Sequence, residues 1–278
     1  MRSNSPSSDQ HGQPISSKDQ EPELHPGSSA AVLYVVSLGP GDPQYLAPRA
    51  REVLSNSNSI VGYKTYIELL EKDILEGKEI ISTGMTREID RCNQAIRQVK
   101  AGKNTSIVCS GDAGIYAMAG LVYELLAEQE DDTGIRVEVI PGIPALSAAA
   151  SLLGAPVMHD FASISLSDLL ISWDTIKNRL NAAALADFVL VLYNPRSKKR
   201  DWQLQEAVAI LKQHQDTDTP IGIVRNACRQ GETVKVTTLA EFDPQEVDML
   251  SIVIVGNSQT RILNGKMVTS RGYMEKYG

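Results

Sequence analysis

Three short apolar runs in the first half of the chain each end in a glycine-bearing loop, and this recurrence constrains the fold more than any other feature. Residues 32–38 run into Gly39-Pro40-Gly41-Asp42-Pro43, and residues 105–110 into Gly111-Asp112-Ala113-Gly114-Ile115-Tyr116. Residues 137–140 run into Pro141-Gly142-Ile143-Pro144-Ala145. Runs this short, apolar throughout, rich in β-branched residues and cut off by Gly or Pro, read as buried strands. Residues 79–82 give a further strand. Pro48 suits the first turn of a helix after the first loop. Ile89, Cys92, Ile96 and Val99 repeat at helical spacing, as do Ile115, Ala119, Val122 and Leu126. Strands alternating with helices imply a mostly parallel sheet with helices on its faces.

The second half continues in the same class. Residues 145–153 are small and helical, 161–166 and 188–192 read as strands, and 173–184 as the helix between them. Leu204, Val208 and Leu211 share one helical face, and strands follow at 221–224, 233–237 and 251–255. The expected division is an N-terminal tail (1–30), an α/β domain (31–142), a second α/β domain (143–265) and a C-terminal tail (266–278). Residues 1–30 are dense in Ser, Gln, Pro and acids, with almost no large apolar side chains. Such a segment cannot bury enough surface to offset its ordering entropy. It has neither the apolar core of a signal peptide nor the acid-poor composition of a transit peptide.

Composition narrows the function classes. A net charge of −7 disfavours broad nucleic-acid binding. No apolar run approaches the roughly 20 residues of a membrane helix, so a soluble, cytoplasmic protein is expected. Cys92, Cys109 and Cys228 are odd in number and scattered, which argues against a disulfide framework or a zinc site and suits a reducing compartment. Two of the four histidines, His11 and His25, fall in the tail, and no metal-ligand spacing occurs; no protein-held metal is expected.

The loops do not match the common phosphate cradles. A dinucleotide fingerprint needs glycine where Gln44 stands, and prolines offer no N–H to a phosphate. A Walker loop fails because Asn104 follows Gly102-Lys103 and Arg97 stands where a glycine is required. One glycine pair alone reads as a turn, and Asp42 or Asp112 alone as a cap of the next helix. Three such strand ends together imply a binding crevice at the carboxyl edge of the sheet, for a ligand the pattern does not name.

In this order the motifs resemble the tetrapyrrole methylase family, from about residue 32 to about residue 257. Gly62-Tyr63-Lys64-Thr65-Tyr66, His159-Asp160-Phe161, residues 165–170, Leu192-Tyr193-Asn194-Pro195-Arg196-Ser197 and Val224-Arg225-Asn226-Ala227 are similar to its precorrin-3B C17-methyltransferase branch. The resemblance implies two α/β domains with S-adenosylmethionine folded in the cleft between them. Pro40 would line the first loop, Gly111, Asp112, Ile115 and Tyr116 the second, and Pro144 and Ala145 the third, with Asn194 and Ala227 at the adenine end. Two positions depart from the pattern: Pro144 stands where Ser or Thr is common, and Cys228 where the branch has glycine.

The reaction implied is methylation of C17 of precorrin-3B, or of its cobalt form, with expulsion of a ring carbon into an acetyl substituent. A sulfonium methyl is already activated, so the protein must chiefly align the substrate carbon and exclude water. Ring contraction also needs proton traffic or carbonyl polarisation, for which Asp42, Lys64, His159 and Asp168 are the candidates. Asp42 also reads as a cap, Asp168 as a helix start and His159 as a packed histidine. A polycarboxylate substrate would meet Tyr63, Lys64, Arg196, Arg225 and Arg229, arginine gripping carboxylates in bidentate fashion. Gly62 would turn the strand end to present Tyr63 and Lys64, and Lys198-Lys199-Arg200 reads as a solvated loop. The family suggests a homodimer. The rivals are a sister methylase of the same fold acting on another tetrapyrrole carbon, on a diphthine precursor or on RNA ribose, and a silent carrier that binds both ligands; Gln44 and the prolines disfavour a nicotinamide oxidoreductase.

Overall fold

β1 (Val32–Ser37) is buried along nearly its whole length because parallel strands flank it on both sides, β4 (Thr105–Cys109) and β5 (Arg136–Ile140). With β2 (Ser59–Tyr63) and β3 (Glu79–Thr83) they form an all-parallel sheet in the order β3-β2-β4-β1-β5. Strands of such a sheet are covered on both faces and therefore read as continuous apolar runs. On one face α1 (Pro48–Asn56) sets Ala50, Val53 and Leu54 against Val36, Ile60, Val108 and Ile140. On the other, α4 (Glu88–Lys100) and α5 (Met118–Ala127) set Cys92, Ile96, Val99 and Val122 against Leu33, Val35, Val61 and Ile107. Two single turns, α2 (Lys64–Ile67) and α3 (Lys72–Leu75), link β2 to β3. The structure, a computed structural model, describes residues 31–129, 134–197 and 199–278; the segment 1–30 read above as a tail lies outside the described residues.

The strand order creates the crevice. From β1 the chain leaves toward β2, and from β4, its neighbour, it leaves the opposite way toward β5. Adjacent strands whose connections diverge leave a gap at their carboxyl ends, where open α/β sheets take ligands.

α6 (Ala145–Leu153) then leads through β6 (Gly154–Ala155) to a second five-stranded sheet. Its strands are β7 (Phe161–Ser165), β8 (Val189–Tyr193), β9 (Pro220–Arg225), β10 (Thr233–Thr238) and β11 (Ser251–Val255), in the order β10-β9-β11-β8-β7. Only β7 and β8 run parallel; the other pairs are antiparallel. α7 (Trp173–Leu185) and α8 (Gln203–Leu211) cover one face, with Leu180 and Leu204 among Leu190, Leu192, Ile221 and Val253. α6 covers the other, packing Ala149, Ala150 and Leu153 on Val189, Val191, Val224 and Ile254.

Several expectations are corrected. Residues 266–278 are not all tail: β13 (Lys266–Thr269) pairs with β12 (Thr260–Leu263) and β6 and buries Met267 completely, and a short α9 (Tyr273–Tyr277) ends the chain. Ile115 is not part of the α5 stripe, because Tyr116 takes a left-handed φ of 51° and the helix starts only at Met118. Ile89 is 57% exposed, and α4 turns Arg91 inward instead. Gly62 makes no turn. It lies within β2, where a Cβ would fall 2.5 Å from Val108 Cγ2.

Gly222 of β9 has the same packing role between α6 and β13. A Cβ there would sit 2.4 and 2.5 Å from the Leu153 methyls and 2.8 Å from Met267 Sδ. Gly222→Ala is expected to cost about 1–3 kcal/mol by overpacking. Urea unfolding of Gly222→Ala, Leu153→Ala and the double variant tests this; a double variant showing the plain sum of the two single losses would contradict the shared clash.

Candidate active site

The three glycine loops form one unit at the switch point. Gly39 N donates to Gly111 O (3.1 Å) and Gly111 N to Gly39 O (2.7 Å), an isolated antiparallel bridge that ties the two loops together just past the ends of the parallel β1–β4 pair. Both glycines take left-handed φ values, 67° and 68°, which an L side chain tolerates poorly. The buried Ser37 hydroxyl accepts the Ala113 N–H (2.8 Å). Asp112 then spans two loops: Oδ1 accepts from Gly114 N (2.8 Å) and Oδ2 from Gly142 N (3.0 Å). It caps no helix. A Cβ on Gly142 would fall 2.8 Å from Gly111 O, so the third loop closes on the second only because residue 142 is glycine.

The second sheet meets this unit along a seam. The left-handed turn at Tyr116 aims its ring outward, where the hydroxyl donates to Ser163 O (2.8 Å) and the ring packs 5.1 Å from that of Tyr193. Tyr193, at the carboxyl end of β8, accepts the Leu146 N–H on its hydroxyl (3.0 Å). Burial pushes this phenol up to about 12, so it stays neutral. Its bond explains how α6 tolerates Pro144: a Ser or Thr there would cap the second or third N–H of the helix, and Tyr193 supplies that acceptor from the end of β8. The Ala145 N–H has no partner among the described residues and lies against Gly111. A ligand held by main-chain groups and admitted by missing Cβ atoms fits this corner.

Of the remaining cofactor-side candidates, Asn194 and Ala227 sit on the second sheet's loops and Pro40 in the first glycine loop. Asn194 (φ 48°) donates to Ser165 Oγ (3.0 Å), and its carbonyl accepts from Arg200 (2.7 Å). Arg200 is thus no solvated side chain: it is 8% exposed, also bonds Leu166 O (3.2 Å), and burial pushes its pKa down. Lys198 lies outside the described residues. Ala227 packs on the α6 side of the sheet, between Asn226 (φ 50°) and Cys228 (φ 55°). Cys228 therefore keeps the left-handed conformation for which glycine is the usual residue. Pro40 is buried, and its carbonyl accepts from Arg229 Nε.

A family model for tetrapyrrole (corrin/porphyrin) methylases matches residues 32–243. The chain belongs to the tetrapyrrole methylases. It is 49% identical over 247 residues to a cobalt-factor III methyltransferase of Priestia megaterium, covering 88% of this chain and 46% of that protein. It is 48% identical over 242 residues to a probable cobalt-factor III C(17)-methyltransferase of Salmonella typhimurium, covering 87% and 99%. The crystal structure of the methyltransferase CobJ superposes with a TM-score of 0.83 at 33% identity, over 86% of this chain and 100% of the other. The chain thus spans about half of the Priestia protein and nearly the full length of the other two.

The other residues singled out in this methylase scatter. Asp42 is held on the Gln44 N–H (3.0 Å) as the cap of a turn at Pro43–Tyr45. Tyr63 stacks edge-on against Tyr66 with Arg91 over its ring, and Lys64 is exposed, 3.9 Å from Glu68. Asp168 accepts from Gln203 (3.0 Å) and starts no helix, since Ser172 caps α7. His159 is exposed ahead of the amino end of β7, opposite the edge that carries the loops. Arg196 holds Gln245 and Val247, and Arg225 pairs with Asp248 (2.8 Å). Sequence reasoning gave no role to Ser37, Ser110, Ser163 or Tyr193, although Ser110 opens the second glycine loop and Tyr193 stands in the motif at residues 192–197.

Tyr193→Phe leaves the Leu146 N–H unpaired and is expected to cost about 1–2 kcal/mol. Adding Pro144→Ser should recover most of that loss by supplying a local cap. Thermal unfolding of the four-member cycle decides; equal losses with and without the Pro144→Ser change would rule out the shared capping role.

Proposed function

We propose that this methylase transfers the methyl group of S-adenosylmethionine to C17 of a ring-contracting tetrapyrrole, precorrin-3B or its cobalt counterpart, in cobalamin biosynthesis. The observation that carries this reading is the 48% identity over 99% of a relative named for that carbon. The ordered branch motifs at residues 62–66 and 192–197 support it. Both bacterial relatives are named for cobalt-factor III, which favours the cobalt-bearing substrate.

S-adenosylmethionine, when bound, supplies a methyl group already activated on a sulfonium. The chain's own part is to hold and enclose. The Gly39–Gly111 pair and the Asp112–Gly142 tie fix the loops before any ligand arrives, so little reorganisation remains at the reacting atoms. Tyr116 and Tyr193 pack ring to ring where the two sheets meet. We assign cofactor contacts to Pro40, Gly111, Asp112, Ile115, Tyr116, Pro144, Ala145, Asn194 and Ala227, largely through main chain. For proton handling we retain Asp42 and Lys64, which lie at the carboxyl ends of β1 and β2. His159 is set aside for its position, and Asp168 for its bond to Gln203.

The test is to incubate the purified chain with S-adenosylmethionine and either precorrin-3B or cobalt-factor III without oxygen, and to follow the product by mass spectrometry and absorbance. Gain of one methyl with the spectral change of ring contraction is expected, the cobalt form reacting faster. Cofactor binding without methylation of either form would move the chain to a sister methylase or a silent carrier.

We further propose a cytoplasmic homodimer. No helix among the described residues is long and apolar enough to cross a membrane. The three cysteines are free. Leu169 and Leu170 are 77% and 98% exposed beside Ile171, an apolar run of the kind an interface covers. Light scattering should return twice the chain mass; a single chain mass would overturn the dimer.

A further inference from the structure

Arg229 crosses from the β9–β10 loop into the crevice of the first sheet. Its Nε donates to Pro40 O, in the first glycine loop, and its Nη2 to Ser110 Oγ (2.5 Å), at the start of the second. The guanidinium therefore sits over the carboxyl ends of β1 and β4, at the switch point. Gly41 makes the place available: a Cβ there would lie 2.5 Å from Arg229 Nε.

Its charge is unmatched. No carboxylate oxygen of the described residues lies within 4.0 Å of it, although two acids stand in the adjoining loops. Asp42 is turned to the Gln44 N–H, and Glu232 to the Cys228 N–H (2.7 Å). Of the other cationic candidates, Arg225 pairs with Asp248, Lys64 lies exposed 3.9 Å from Glu68, and Arg196 is engaged by Gln245 and Val247 away from the glycine loops. A guanidinium carries five N–H donors. With Nε and one N–H of Nη2 engaged, both donors of Nη1 and the second of Nη2 are left along the outer edge. That is the edge that grips a carboxylate with two parallel bonds. Partial burial also pushes the Arg229 pKa down, as expected of a desolvated cation without a counter-charge.

We propose that Arg229 is the carboxylate receptor of the cleft, held ready by Pro40 and Ser110 and completed by an acid that arrives with a ligand. The inference rests on the methyl-transfer reading for its two sources of that acid: a side-chain carboxylate of the tetrapyrrole, or the methionine carboxylate of the cofactor. The receptor is a binding group and moves no proton.

Arg229→Gln and Arg229→Lys, checked for native circular dichroism, separate the sources. The probes are S-adenosylhomocysteine and its decarboxylated analogue by calorimetry, and cobalt-factor III with its carboxyl-esterified form by absorbance titration. Loss of a charge-assisted pair is expected to weaken one carboxylate ligand by about 10- to 100-fold. Weakened S-adenosylhomocysteine with an unmoved decarboxylated analogue assigns the cofactor. Weakened cobalt-factor III with an unmoved ester, and a raised KM at little-changed kcat, assigns the substrate. Arg229→Lys, which keeps the charge but not the fork, should fall between wild type and Gln, and it carries the same readings if the Gln variant does not fold. Carboxylate and carboxylate-free probes weakened alike, or neither weakened, would overturn the receptor and leave Arg229 a bolt between the sheets. Wild type that binds cobalt-factor III without methylating it would sink the proposed reaction while the dissociation constants still score Arg229.

Discussion

The Gly39–Gly111 backbone pair is the contact on which the site depends. It forms where β1 and β4 end and their connections diverge, the place where two loops would otherwise splay toward opposite faces. Left-handed glycines on both sides let two loops that leave parallel strands meet in an antiparallel bridge. A net hydrogen bond contributes only about 1 kcal/mol. The pair nevertheless sets the height of Asp112, whose two oxygens then place Gly114 and Gly142. Three loops from distant parts of the chain thus share one frame.

The contacts between the sheets follow a common chemical rule. Tyr116 and Arg229 each reach across the seam to a main-chain group, at Ser163 and Pro40. Neither contact is a salt bridge, so ionic strength acts on the seam only weakly. The backbones that aim these groups are unusual. Tyr116, Asn194, Asn226 and Cys228 all take left-handed conformations at or beside strand ends facing the crevice. Conformations that L residues seldom adopt collect at ligand sites because the surrounding structure must over-determine them.

The fold was legible in residues 32–140 because parallel strands, buried on both faces, leave unbroken apolar runs that glycine and proline cut cleanly. Strand direction in the second sheet was not, since apolar runs such as Ser251–Val255 look alike in either direction. The β12–β13 hairpin had a signal that went unread: Asn264-Gly265, both at positive φ, is a two-residue turn sequence. Helical spacing wrongly drew Ile115 into α5, because periodicity ignores a left-handed residue between. For the site, the loops were visible and their internal wiring was not. Asp112 looked like a helix cap and Arg200 like part of a solvated loop because their partners lie about 30 residues or one loop away. His159 stood in a branch motif, and only the strand direction of β7 places it at the edge away from the glycine loops.

α6 begins at the third glycine loop and ends beneath the second sheet, with its alanines against β-strand side chains on the way. Its first turn lies against Gly111 and its last turn lies in the core beneath the second sheet. One stiff element therefore carries position from the core of the second sheet to the third glycine loop of the first.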